Sequence, residues 1–172
     1  AIVSRISKSK NIEESIEGFL NSSASESSSI SIIGGPLTNE DKKYYEYLLN
    51  LYKDYKNISF IGPVPHSELV NYLKNVSFHI NNTDKGFYDK SVLETSVNGI
   101  INFYKNIDYD KNIPIEYQEA LKFDGSSSDL SNKISSVFTL NQNEFLKIIE
   151  HSQQEINNES LDTLVDRIER VI

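Results

Sequence analysis

The sequence predicts an α/β fold: one Rossmann-like, doubly wound domain, with a mostly parallel sheet of about six strands and helices on both faces. Three observations predict it. Short apolar runs at residues 2–3, 30–33, 58–61, 76–80 and 100–103 alternate with amphipathic helical stretches, and strand–helix–strand order implies parallel pairing through right-handed crossovers. Two of the runs stop at turn residues, Gly34-Gly35-Pro36 and Gly62-Pro63, which break regular structure. The chain has 172 residues and is 38% hydrophobic, enough for one domain with a full core.

Each element has its own signal. Ile2-Val3 opens the first strand. Residues 11–20 read as a helix because Ile12, Ile16, Phe19 and Leu20 share one face. Residues 21–29 are serine-rich and read as a mobile loop. Ile30-Ser31-Ile32-Ile33 is the second strand. A helix follows over 39–55, with Tyr44, Tyr45, Tyr47, Tyr52 and Tyr55 spread around it; such a spread serves packing and surface, not a stacking platform. The third strand, 58–61, leads to a short helix at 66–73 with His66 or Ser67 near its cap. The fourth strand is 76–80, with His79 inside it as a core histidine. A helix over 89–98 ends at Gly99, which suits a C-terminal turn. The fifth strand is 100–103 and a short sixth is 121–123. Helices are expected at 129–138, 143–157 and 161–172.

Composition narrows the function. The net charge of −8 argues against a general nucleic-acid binder, which needs an electropositive surface. No run is long and apolar enough to span a bilayer. The absence of cysteine removes disulfides and thiolate zinc sites and is compatible with the cytosol. The chain lacks methionine and opens directly on a strand-like run; the expectation is an excised piece of a longer protein. There is no Gly-x-Gly-x-x-Gly, Walker loop or nucleophile elbow, so no nicotinamide cofactor is expected. No His or Cys cluster points to a metal.

In open parallel sheets, ligands bind beyond the carboxyl ends of the strands. The unusual residues fall there. Arg5 and Lys10 follow strand one, Gly34-Gly35-Pro36 strand two, Gly62-Pro63-Val64-Pro65 strand three, and Asn81-Asn82-Thr83 with Gly86 strand four. The helix from Asp89 aims free N–H groups and a positive dipole end at that edge. Arg5 can grip a phosphate bidentately and Lys10 adds a point charge. Glu94, one turn into the helix, has two acceptor oxygens for the vicinal hydroxyls of a ribose. A nucleotide diphosphate sugar, UDP- or GDP-linked, fits this set. Simpler roles stand beside these: Asp89 as a helix N-cap, and Lys90 with Glu94 as an i,i+4 surface pair.

The ordered motifs resemble the C-terminal, donor-binding domain of family 4 (group 1) glycosyltransferases, which have the two-domain GT-B architecture. Arg5-x4-Lys10 is similar to the family's diphosphate-binding pair. Ile32-Ile33-Gly34-Gly35-Pro36 resembles its strand-then-glycine turn. Asn57-Ile58-Ser59-Phe60-Ile61-Gly62-Pro63-Val64 resembles the strand whose following loop contacts the base. Gly86-Phe87 and Val92-Leu93-Glu94-Thr95-Ser96-Val97-Asn98-Gly99 resemble the "GF…LEA-x-x-x-G" segment. Asn158-Glu159-Ser160-Leu161-Asp162 resembles the start of the closing helix. One departure stands out: the family's first acid lies eight positions before Glu94, where this chain has Gly86, and Asp89-Lys90 resembles the variant with an Asp-Lys pair.

The resemblance implies retaining transfer of a sugar from a nucleotide diphosphate donor to a glycan or lipid-linked acceptor. An N-terminal acceptor domain, absent from this chain, would complete the site, and no metal or cofactor is required. It implies Arg5 and Lys10 at the leaving diphosphate and Asp89 at the first acidic position. Donor contacts fall to Arg5, Lys10, Gly34, Gly35, Val64, Gly86, Phe87, Lys90, Leu93 and Glu94. The parent would be cytoplasmic, peripheral at the inner face of the membrane. Asp108-Tyr109-Asp110 has the form of the metal motif of the other main glycosyltransferase fold, in a short tripeptide that arises easily by composition. The alternative function is a non-catalytic Rossmann-like domain, either a degenerate transferase or an interaction module.

Overall fold

A computed structural model describes residues 1–157. The helix expected at 161–172 and the motif starting at Asn158 lie outside the described residues. The strands are β1 (Ile2–Val3), β2 (Ile30–Ile33), β3 (Ile58–Gly62), β4 (Phe78–Asn81) and β5 (Ile101–Tyr104). The helices are α1 (Ile12–Leu20), α2 (Asn39–Leu51), α3 (His66–Leu73), α4 (Lys90–Val97), α5 (Ile115–Leu121), α6 (Ser127–Phe138) and α7 (Gln142–Asn157).

All strand pairs are parallel. Ile2 is in register with Ile32, Ser31 with Ser59, and Ile80 with Phe103. Ala1 joins the two halves of the sheet: its nitrogen donates to Phe78 O, and Ile80 N donates to Ala1 O at 2.9 Å. The strand order is therefore β3-β2-β1-β4-β5. The chain winds one way from β1 and the other way from β4, so a topological switch point lies between them.

Successive side chains of a strand point to opposite faces, and here they feed two cores. Ile2, Ile30 and Ile32 enter the larger core with Ile12, Ile16, Leu48, Val92, Phe103 and Leu130. Ile33 enters a smaller core with Leu69, Leu73 and Ile100, with Val3 packed against it. Gly18 lets α1 and α6 approach closely: a Cβ there would lie 2.6 Å from Leu130 Cδ2. The tyrosines of α2 divide as expected, Tyr44 buried and Tyr47 half exposed.

Two expectations are corrected. The sixth strand, 121–123, shrinks to one parallel bridge between Tyr104 and Lys122, with Phe123 N donating to Tyr104 O at 3.0 Å. The cause is α5, absent from the sequence reading, which runs to Leu121 and leaves too little chain to extend the sheet. The serine-rich segment is not an open loop. It contains a 3-10 turn at Ser23–Glu26 with Ala24 buried. Ser22 Oγ donates to Phe19 O at 2.7 Å and Ser25 Oγ to Leu20 O at 2.9 Å, so the hydroxyls themselves fold the turn.

A buried polar network fastens α4 to the sheet. Asn102 Oδ1, on β5, accepts from Thr95 Oγ1 at 2.7 Å and lies 2.7 Å from His79 Nδ1. Asn102 Nδ2 donates to Ser96 Oγ at 2.7 Å. Desolvation lowers the His79 pKa to about 4, so the ring is neutral and donates through Nδ1. This network fixes the helix that carries Glu94.

Candidate functional site

The loops beyond β1, β2 and β3 are knitted together by backbone contacts. Ile6 N donates to Gly35 O at 3.0 Å and Gly34 N to Gly62 O at 2.9 Å. Gly34 has φ +137°, and a Cβ there would lie 1.8 Å from Ser4 O. Only glycine allows this approach of the β2 turn to the end of β1. The result is a cleft of about 350 Å³ lined by Arg5, Gly34, Gly35 and Val64, with Leu37 and His66 at its walls. Arg5 is exposed. It also faces the start of α2, where the Asp41 carboxyl is held below its usual range, first by the Thr38 backbone N–H and in smaller part by the Arg5 charge.

Through His66 and Leu69 this cleft continues into a groove of about 310 Å³ between α3 and α4, which includes Leu93 and Glu94. Glu94 Oε1 lies 3.7 Å from His66 Nε2, with the Glu94 side chain 30% exposed. A loose pair at an exposed imidazole is weak, so the carboxylate stays open to other donors. The i,i+4 pair of Lys90 with Glu94 does not form among the described residues. Lys90 is exposed on the first turn of α4.

The third cluster bridges the switch point. Lys10 Nζ lies 2.7 Å from both oxygens of Asp89, and Asn81 Nδ2 donates to Asp89 Oδ2 at 3.1 Å. Phe87 covers the ammonium, its ring centroid 5.7 Å from Nζ. Asp89 stands at the N-cap position of α4, but its side chain accepts no capping hydrogen bond. The N-cap reading is corrected: Lys10 and Asn81 hold the carboxylate instead. Lys10 thus has a resident counter-ion as well as a place at the ligand edge.

The segment around Gly86 is pinned from the β5 side. Gly86 N donates to Asp108 Oδ2 at 2.8 Å, and Asn106 Nδ2 donates to Phe87 O at 3.1 Å. The buried Tyr109 hydroxyl accepts from Asp89 N and donates to Asp89 O. The two acids of the Asp-x-Asp tripeptide diverge, since Asp110 pairs with Lys122 at 2.7 Å. No group of acids, histidines and cysteines suited to a metal occurs among the described residues.

The predicted residues thus form three neighbouring clusters: Arg5, Gly34, Gly35 and Val64; Leu93 and Glu94; Lys10, Asp89 and Phe87. Gly86 sits beside the third and Lys90 at the start of α4. Sequence reasoning put Asn81 at the ligand edge without a role, and missed His66, which links the first two clusters, and Tyr109, which with Asn81 sets Asp89. The position of Asn81 at a strand end was the available signal; Tyr109 gave none. A cavity of about 720 Å³ includes Ser29, Asn57, Asn75 and Ser77 at the opposite edge of the sheet and contains one lysine, Lys56, and no carboxylate. It is remote from the convergent charges, which mark the better candidate.

No protein-family model matches the sequence, and no curated protein matches it. Solved structures do. The catalytic domain of cholesterol-α-glucosyltransferase from Helicobacter pylori superposes with a TM-score of 0.75 at 19% identity, covering 92% of this chain and 98% of that one. HepE from Anabaena, solved with UDP and glucose, gives 0.77 at 14% identity over 99% of this chain and 46% of its own. The C-terminal domain of a glycosyl transferase group 1 family protein from Francisella tularensis gives 0.73 at 19% identity, covering 91% and 83%. The chain spans just under half of the Anabaena protein. It has the α/β, Rossmann-like fold of the C-terminal domain of GT-B glycosyltransferases.

Proposed function

We propose that the chain is the donor-binding domain of a retaining, family 4 glycosyltransferase. In this reading it holds a nucleotide diphosphate sugar while an N-terminal domain of the parent presents a glycan or lipid-linked acceptor. The observation that carries the proposal is that Arg5, Lys10, the α4 N-terminus and Glu94 lie in neighbouring clusters along the carboxyl edge of the sheet, where such sheets bind ligands. The fold and the UDP complex of the Anabaena protein support it.

The roles follow from chemistry. Val64 and the turn at Gly34-Gly35 form the wall for the base. Glu94 accepts the vicinal ribose hydroxyls. Arg5, Lys10 and the N–H groups at the α4 N-terminus offset the charge that grows on the departing diphosphate. Lys10 has three N–H donors; Asp89 occupies two, which leaves one for phosphate. Phe87, Gly86 and Asp89 adjoin the transferred sugar, and Lys90 adds a cation at the helix start. The site needs neither metal nor cofactor. A cytoplasmic parent, peripheral at the inner membrane face and working in polysaccharide biosynthesis, fits this role; no described helix is long and apolar enough to cross a membrane.

A second reading is a non-catalytic Rossmann-like domain. It is favoured by Gly86 at the usual first-acid position and by the occupation of Lys10 by Asp89. Calorimetric titration with UDP, GDP and ADP separates the two. Binding of one at millimolar levels or better is expected, with Arg5→Ala weakening it roughly tenfold to a hundredfold. No binding by any of the three rejects the donor-binding reading.

A further inference from the structure

The Lys10–Asp89 pair is unusual for an anion site. Its partners are 79 positions apart in sequence and meet across the switch point. Both carboxylate oxygens lie 2.7 Å from the ammonium. Asn81 holds Oδ2, and the Tyr109 hydroxyl brackets the Asp89 backbone. The side chain of Lys10 is only 9% exposed and that of Asp89 24%. What the pair presents to solvent is therefore mainly the acid. A phosphate arriving here meets a neutral pair with a carboxylate outermost, and the cationic excess rests on Arg5 and Lys90.

Building on the donor-binding reading, we propose that Asp89 is a specificity residue that distinguishes a sugar-linked nucleoside diphosphate from a free one. The terminal phosphate of a free nucleoside diphosphate is a monoester-like group carrying about −1.5 to −2 at neutral pH. Linked to a sugar, the same phosphate loses its second ionisation. The free group has only acceptors to offer a carboxylate and is repelled by it. The sugar-linked group brings hydroxyls that donate to it. Asp89 therefore disfavours the product of transfer more than the donor. Lys10 and Asn81 hold the carboxylate itself, and Tyr109 holds the Asp89 backbone, so the acid stays in place when the product is present.

The test is a calorimetric titration of the chain and Asp89→Asn with UDP and with UDP-glucose, or with GDP and GDP-mannose if guanine is the preferred base. Asp89→Asn should bind the free diphosphate about tenfold more tightly, because one repulsive charge is removed at close range. For the sugar-linked form that gain is offset by the charge-assisted hydrogen bonds its hydroxyls lose at the carboxylate, so its affinity should rise less than that of the free form, or fall. An equal change for both ligands, or no gain for the free diphosphate, overturns the proposal. Should Asp89→Asn fail to fold, as a thermal melt will show, Asp89→Ser also removes the carboxylate charge while leaving Lys10 in place. The ratio of the two affinities must then move the same way, and an unchanged ratio overturns the proposal. A chain that binds neither form overturns both this proposal and the donor-binding reading. Binding with an unaltered ratio in the variants removes only the role of Asp89.

Discussion

Glu94 shows how an ordinary helix residue acquires a role. It lies one turn into α4, on the groove shared with α3, with one loose neighbour, His66 at 3.7 Å. A carboxylate so lightly paired keeps its lone pairs for a ligand. Glu94→Gln should keep the fold and weaken UDP binding about tenfold, by loss of charge-assisted hydrogen bonds. The substitution separates charge from shape, since an amide keeps the size and one acceptor of the acid. The specific readout is the preference for UDP over its 2′-deoxy analogue: if Glu94 holds the ribose, that preference collapses in the variant. A preference that persists would place the ribose elsewhere.

At the scale of elements, the turn after β2 is the tightest constraint on the site. Gly34 brings the turn to within a Cβ's reach of Ser4 O, and the Arg5 backbone follows directly. Gly34→Ala combines a positive φ with a backbone clash, and should destabilise the protein by about 3 kcal/mol or more. Urea unfolding measures this, and a change within about 0.5 kcal/mol would show that the turn can relax away from β1. The tie of α4 to the sheet is also an element-scale device. Asn102, Thr95, Ser96 and His79 place four polar side chains under one helix, so α4 cannot slide along β5 without breaking buried hydrogen bonds.

That network sets a pH dependence for the whole molecule. The His79 pKa is lowered to about 4 by burial, below the unfolded value of about 6.5. Between these values the unfolded chain takes up a proton that the folded chain refuses, so stability falls as pH drops from about 6.5 toward about 4. From this group alone the loss from pH 7 to pH 5 is about 2 kcal/mol. Thermal melts of the chain across pH 7 to 5, compared with His79→Gln, check it: the variant should show a shallower decline. An identical decline in both would assign the acid sensitivity to other groups.

Much of the architecture was legible in local pattern. The five apolar runs, the turn glycines and the helical patterns of 11–20 and 89–98 each report short-range chemistry, and they recur, with ends shifted by a residue or two, as β1–β5, α1 and α4. The edge that carries the unusual residues follows from the same pattern, because parallel strands share a carboxyl end. Elements with conflicting local signals were not legible. Residues 115–121 lack strong amphipathic periodicity, so α5 was missed and a sixth strand expected in part of its place. The serines of 22–28 read as solvated because their carbonyl partners are invisible in a sequence.

The pairing of charges lies wholly in the tertiary structure. Lys10 with Asp89, Asp110 with Lys122, and Asp108 with the Gly86 amide are choices among many carboxylates and donors. Spacing along the chain carries no information about partners 79 or 22 positions away. Local pattern determines which side chains arrive at the ligand edge, because strand and helix periods are short-range. Only the winding of the sheet about the β1–β4 junction decides which of them meet, and with it that Lys10 comes to the site already matched to an acid.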